Sequence, residues 1–272
     1  MNNSTNWTPE EIRRTDEVLL GCSADEIIAQ LPARISQGIL HWADKIPEQV
    51  AVVAGDTSLT YKELREVVSD VKHYLIDNEV RPGDRVMLVG ENSIVFVAFF
   101  LALSELNAIA AVINARLSSR EIKAIRDDCT PRIVVYATSD SVDAAKHAAE
   151  DSCVSTQFTF GGVATSGVIE TLPLETNDLG ADQVAAMIYT TGTTGTPKGV
   201  MLTHQNLAFI AFVSGKLRGI GPADRIYCVL PMSHVFGLSA VCCSVLFGAG
   251  CADLVSRFDA KEALRALRDD EV

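Results

Sequence analysis

Basic residues are scarce in this 272-residue chain: 23 Lys and Arg stand against 35 Asp and Glu, and the formal net charge is −12. Non-specific binding to nucleic acid or to an anionic membrane needs a basic face, so this composition argues against both kinds of partner. It does not argue against binding a small phosphate compound. One lysine among backbone N–H groups can make the potential positive locally.

The cysteines lack the spacing of a metal site. The chain has seven, but none forms a Cys-x-x-Cys pair and no Cys/His spacing suits zinc, so we expect no metal ligands among them. An odd number, mostly in apolar runs and including the vicinal pair Cys242-Cys243, is typical of buried reduced thiols. The first residues also lack the apolar core of a signal peptide. We therefore expect a cytoplasmic protein.

Charged residues are missing from one long stretch, residues 226–252, which is long enough to cross a bilayer. Pro231, Gly237, Gly248 and Gly250 interrupt it, however. These interruptions favour a strand, a turn, a buried helix and the start of another strand. We therefore predict no membrane span here.

Strand and helix patterns alternate along the chain, and 48% of the residues are apolar, as in a globular protein. Such alternation predicts an α/β fold with largely parallel sheets flanked by helices. The mixed segment 156–183 is the best candidate for a boundary, so we predict subdomains at 1–175 and 176–272. Strands are predicted at 51–54, 85–89, 108–113, 131–136, 184–189, 226–230 and 251–255. Helices are predicted at 60–77, 93–106, 142–150 and 236–247, and from about residues 118, 203 and 259.

The richest local signal is YTTGTTGTPKGV, residues 189–200, which follows the apolar run 184–188. Its three glycines allow backbone N–H groups to approach an anion closely, its threonines add donors, and Lys198 adds a charge that suits a polyphosphate. The P-loop pattern G-x-x-x-x-G-K-[ST] fits less well, because Pro197 precedes the lysine and Gly199 follows it. A flexible surface loop of small polar residues is the other alternative.

Residues 189–204, YTTGTTGTPKGVMLTH, resemble the signature of the adenylate-forming (AMP-binding) superfamily, which includes acyl- and aryl-CoA synthetases, peptide-synthetase adenylation domains and firefly-type luciferases. The usual form is [YF]-T-S-G-T-T-G-x-P-K-G, so Thr191 keeps the hydroxyl of the usual serine. Weaker matches follow the family order: LTYKEL (59–64), GDRVMLVGENS (83–93), FLALSELNAIAAVINARLS (100–118) and LPMSHVFGL (230–238). The third departs from the family pattern at Leu106-Asn107-Ala108 and at Ile113.

The resemblance implies roles for individual residues. His234 would lie between the acyl pocket and the α-phosphate, and Phe236 and Gly237 would line that pocket. Lys198 would contact phosphate or tether the loop, while Gly195 and Gly199 would let it swing. For His204 a structural account is sufficient, with Thr203 as the N-cap of a helix. The residues expected at the β- and γ-phosphates are Thr190, Thr191, Gly192, Thr193, Thr194 and Gly195.

The resemblance also implies an ATP-dependent carboxylate–CoA ligase, with ATP, coenzyme A and a carboxylic acid as ligands and fatty acid metabolism as the broad process. The family's Y-G-x-T-E and T-G-D elements and its C-terminal lid are not in this sequence. The chain therefore resembles the N-terminal half only, and the glutamate that binds Mg²⁺ is expected beyond it. We expect little turnover by the chain alone, and self-association through an uncovered edge or face. An adenylation domain that loads a carrier-protein thiol and a non-catalytic nucleotide-binding fragment remain alternatives.

Overall fold

The computed structural model describes residues 8, 10, 18–176, 180–191, 197–269 and 272. Strands and helices alternate through these residues as predicted. The strands are β1 (Val50–Ala54), β2 (Thr57–Thr60), β3 (Arg85–Gly90), β4 (Ile109–Asn114), β5 (Ile133–Ala137), β6 (Val154–Phe158), β7 (Gly161–Thr165), β8 (Val184–Thr191), β9 (Pro197–Thr203), β10 (Arg225–Cys228) and β11 (Cys251–Leu254). The α-helices are α1 (Ala24–Gln30), α2 (Ile35–Leu40), α3 (Trp42–Lys45), α4 (Tyr61–Asp77), α5 (Ile94–Glu105), α6 (Ser119–Cys129), α7 (Val142–Glu150), α8 (His204–Arg218), α9 (Ser244–Phe247) and α10 (Ala260–Asp269).

Two sheets organise the chain. The larger has the order β6-β7-β5-β3-β4-β8-β9, and in it β5, β3, β4 and β8 are parallel. The smaller has the order β10-β11-β1-β2, with β10, β11 and β1 parallel. Both sheets combine strands from before and after residue 175. The division into subdomains at that residue stays a prediction.

Helix α5 lies between the two sheets, where it contacts β3, β4 and β7 of one and β1 of the other. Every residue from Ile94 to Ser104 is buried. Because the helix is covered on all sides, its sequence is apolar throughout instead of amphipathic. No helix in the described ranges combines the length and apolar content that a membrane crossing requires. Residues 226–252 form β10, a turn, a helical segment and the start of β11, as predicted.

Part of that helical segment, Phe236–Cys243, is a π-helix and not the predicted α-helix. In its last turns the Ser244 hydroxyl donates to the Ala240 and Val241 carbonyl oxygens, at 2.7 and 2.8 Å. Arg218, at the end of α8, donates to the same Ala240 oxygen and, at 2.8 Å, to the Ser244 hydroxyl. A cation from another helix therefore helps to satisfy the carbonyl groups of the widened turns.

Candidate functional site

The described residues of the signature segment lie on β8, on β9 and at the start of α8, and β8 and β9 form a β-hairpin. β8 and β9 are antiparallel, and their register places Thr190 opposite Lys198 and Thr191 opposite Pro197. The sequence prediction treated residues 197–200 as loop, whereas they begin β9. Gly192, Thr193, Thr194 and Gly195, four of the predicted phosphate-binding residues, lie outside the described residues. So does the side chain of Thr191.

The base of this hairpin is fixed by a tyrosine. Tyr189 lies opposite Gly199, and its hydroxyl donates to the Asp128 carboxylate on α6 at 2.7 Å. Burial, and then this hydrogen bond, raise the pKa of Tyr189, so the phenol stays a neutral donor. A Cβ atom on Gly199 would come within 2.8 Å of Met187 Cε and 3.0 Å of Tyr189 Cζ. Gly199 therefore has a packing role inside a strand, which differs from the hinge expected from the sequence.

Thr190 and Lys198 are the next facing pair after Tyr189 and Gly199, and both are accessible to a ligand. Both side chains are exposed. Among the residues that the structure describes, no carboxylate forms an ion pair with the Lys198 ammonium group. None of the described carboxylates therefore neutralises its charge.

His234 lies in the turn that links β10 to the π-helix. Its backbone N–H donates to the Pro231 carbonyl at 3.0 Å, and the Phe236 backbone N–H donates to His234 Nδ1 at 3.3 Å. With Nδ1 accepting, the neutral imidazole carries its proton on Nε2. The ring is exposed, and so is 54% of Phe236. The turn thus offers one N–H donor next to one aromatic face.

Gly237 holds the same turn together. A Cβ atom there would lie 2.2 Å from the Pro231 carbonyl oxygen and 2.6 Å from that of Leu230. Only glycine lets the π-helix start this close to the preceding turn. The position is buried, so Gly237 has a packing role, and its contribution to the acyl pocket stays a prediction.

The hairpin and the His234 turn are on the same side of the fold. Gly90 at the end of β3 pairs with Asn114 of β4. Val112 of β4 pairs with Ile188 of β8, so Thr190, two residues further along β8, lies at the same edge of the sheet as Asn114. The carboxyl end of β10 contacts the turn after β3, because Asn92 donates to the Cys228 carbonyl at 2.9 Å. The crevice beyond the carboxyl ends of parallel strands is where open α/β sheets bind ligands.

A charge network that sequence reasoning missed joins the two sheets at this edge. Glu91, almost fully buried, accepts from Arg116 Nε at 2.7 Å and from Arg257 Nε at 3.1 Å. Arg257 also pairs with Asp143 at 2.7 Å, and Arg116 donates to the Ser256 carbonyl at 2.9 Å. Glu91 belongs to the element GDRVMLVGENS (83–93). The two arginines that contact Glu91 are distant from it in sequence, so no local signal could have identified the network.

The other titratable groups have structural explanations. His204 is buried and its Nδ1 accepts from the Ile35 backbone N–H at 3.4 Å, in keeping with the structural role expected. Burial raises the pKa of the Cys243 thiol to about 12 and that of Cys242 well above its ordinary value, so neither is poised to react. Within the described part of the chain, no three His, Cys, Asp or Glu side chains group as metal ligands.

A separate cavity lies between α6 and α7, away from this edge. Its polar groups are already paired: Arg126 contacts Asp151 at 2.7 Å, and Ser119 donates to Glu150 at 2.7 Å. Because Arg126 is already paired with Asp151, the cavity does not present this cation to an anionic ligand. The edge with the hairpin and the His234 turn is the better candidate site.

Comparisons with known proteins agree on one family. The sequence model of the AMP-binding enzyme family matches residues 39–271. The chain is 29% identical to feruloyl-CoA synthase of an Amycolatopsis species, with 87% of this chain and 48% of that protein covered. It is 33% identical to 2-succinylbenzoate–CoA ligase of Geobacillus kaustophilus, with coverages of 80% and 42%. The ATP-bound crystal structure of MatB from Rhodopseudomonas palustris superposes with a TM-score of 0.70 at 26% identity, with coverages of 87% and 48%. The chain thus spans about half the length of the curated relatives it matches.

Proposed function

The chain belongs to the AMP-binding enzyme family, and on that premise we propose that it is the N-terminal portion of an ATP-dependent carboxylate–CoA ligase. In the first step a carboxylate oxygen of the acid attacks the α-phosphorus of ATP. The bond from that phosphorus to the β-phosphate oxygen breaks, and pyrophosphate leaves. In the second step the sulfur of coenzyme A bonds to the acyl carbon of the adenylate, the bond from that carbon to the phosphate oxygen breaks, AMP leaves, and the thiol proton passes to solvent.

The observation that carries this proposal is the β8–β9 hairpin, which presents Thr190 and Lys198 side by side at the ligand-binding edge. The first step brings two anions together and builds charge on the departing pyrophosphate. Catalysis of such a step is mainly positioning and electrostatic stabilisation. A threonine hydroxyl and a lysine without a carboxylate partner suit the β- and γ-phosphates. We assign the rest of the signature loop, residues 191–195, to the same phosphates.

We assign His234 to the reacting carboxylate or the α-phosphate. Its Nδ1 is occupied by the Phe236 backbone N–H, so Nε2–H is directed elsewhere as a donor. A donor of this kind can neutralise negative charge where the two anions meet. Phe236, more than half exposed, would supply apolar surface to the acid.

ATP, coenzyme A and a carboxylic acid are the small molecules this function requires. We assign no step to Mg²⁺. Because the chain spans about half the length of its curated relatives, we propose that the 272 residues bind phosphate but form little acyl-adenylate alone.

Titration calorimetry with pyrophosphate, using the 272-residue chain, tests the central assignment. Lys198→Ala should weaken binding about tenfold, the loss expected when one charge-assisted contact is removed. Lys146→Ala, at an exposed position of α7, is the matched control for one lost positive charge. Absence of pyrophosphate binding, or an equal loss in both variants, would contradict the phosphate site. ATP–pyrophosphate exchange with a panel of acids, with and without coenzyme A, then tests the reaction.

A further inference from the structure

We propose that Asn92 is a positioning residue that fixes the turn carrying His234. Its side chain is 4% exposed. Its Nδ2 donates to the carbonyl oxygens of Cys228 and Leu230, at 2.9 and 3.0 Å. Its Oδ1 accepts from the Met232 backbone N–H at 2.8 Å. Both amide hydrogens and the amide oxygen are thus directed at one five-residue segment, 228–232.

The segment depends on these bonds at its two ends, where Cys228 and Met232 are buried. Met232 is 2% exposed, and its N–H would lose this hydrogen bond without Asn92. A buried backbone group without a partner is costly. His234 follows two residues later, and its own N–H is bonded to the Pro231 carbonyl inside the segment. Displacement of the segment would therefore displace the imidazole.

Asn92 is itself held by its neighbours. The preceding residue, Glu91, is fixed by Arg116 and Arg257. The following residue, Ser93, is the N-cap of α5, and its hydroxyl accepts from the Phe96 N–H at 3.2 Å. The turn after β3 is thus tied to the charge network on one side and to the central helix on the other. A residue with locked neighbours can set the position of a functional group.

The chemistry of the amide makes the inference testable. Asn92→Asp keeps the shape of the side chain and the acceptor for Met232. It removes both donors and places a negative charge beside two carbonyl oxygens. Asn92→Ala removes all three hydrogen bonds without adding a charge. This variant replaces Asn92→Asp in the test if the aspartate variant does not fold. Tyr61→Phe is the matched control: the buried Tyr61 hydroxyl donates to the Leu246 and Gly250 carbonyls, at 3.2 and 2.8 Å, outside the segment.

Hydrogen–deuterium exchange of the full 272-residue chain is the first measurement. In Asn92→Asp, peptides covering 229–236 should exchange about tenfold faster than in the wild type, while peptides of β3 and β4 stay within twofold of it. Tyr61→Phe should not produce this selective change. An unchanged rate at 229–236, or a uniform rise across the chain, would overturn the positioning role.

Pyrophosphate affinity is the second measurement. It should stay within about twofold of the wild type in Asn92→Asp, because β8 and β9 hold the phosphate residues independently of the turn. A general loss of structure would reduce it, and would contradict a local role. The importance of Asn92 for catalysis rests on the proposed function, but the exchange result does not. A wild type that fails to bind pyrophosphate would count against the phosphate site and leave the exchange comparison valid.

Discussion

His204 should make the fold sensitive to mild acid, and replacing it by asparagine isolates this effect. The side chain lies fully buried at the start of α8. Burial, and then the nearby Arg34 guanidinium, lower the pKa of His204 from 6.5 to about 4. The folded chain therefore keeps the imidazole neutral at a pH where the unfolded chain has already protonated it.

The sign and size of the effect follow from this difference in pKa. Because the unfolded state binds the proton more tightly, stability is fully present above pH 6.5 and falls as the pH drops toward 4. The full loss is about 3 kcal/mol, and about 2 kcal/mol of it is reached at pH 5. Domains of this kind are stable by about 5–15 kcal/mol, so the loss is a large fraction of the total.

Urea unfolding at pH 8, 7, 6 and 5, followed by the fluorescence of Trp42, measures it. His204→Asn keeps an oxygen that can accept from the Ile35 N–H and removes the titration. We expect the free energy of unfolding of the wild type, relative to this variant, to fall by about 2 kcal/mol between pH 8 and pH 5. His73→Asn, at an exposed position of α4, is the control for loss of a histidine. A difference in the free energy of unfolding between the wild type and His204→Asn that does not change with pH would refute the reasoning.

Three further predictions concern single contacts, each measured by urea unfolding. Gly237→Ala should cost about 3 kcal/mol, because the new Cβ meets backbone oxygen atoms that cannot rotate away. Gly167→Ala, where a Cβ would meet nothing within 4 Å, is its control, and equal effects would contradict the packing role. Tyr189→Phe should cost about 1 kcal/mol for the lost bond to Asp128, and no change would show that the bond does not hold the hairpin. Ser118→Ala should cost about 1 kcal/mol by removing the capping box of α6, and a neutral result would contradict it.

The central elements were predictable because their signals are local. Helix α4 shows its apolar spacing, and α6 and α8 open with capping residues in the sequence. Strand β9 was missed because its burial follows no regular alternation, so only pairing with β8 identifies it. The π-helix was missed because a contributor to its stability, Arg218, comes from another helix. Local patterns cannot report a contact of that kind.

The candidate site, like the fold, could be predicted from the sequence only in part. The signature and the His234 element could be located from the sequence, but the packing contacts of Gly199 and Gly237 could not. In sequence each looks like a flexible or pocket glycine. In the fold, the Tyr189 ring and two carbonyl oxygens occupy the space where a side chain would go. Asn92 was equally hidden, because its partners lie 136 to 140 residues away.

The two parts of the candidate site, the β8–β9 hairpin and the His234 turn, are held in place by separate contacts, which serve as their anchors. The hairpin is fixed through Tyr189 to Asp128, and the His234 turn is fixed through Asn92 to the turn after β3. Both anchors lead back to the larger sheet, in which β4 lies between β3 and β8. The positions of Thr190 and Lys198 and that of the His234 imidazole are therefore both tied to this sheet.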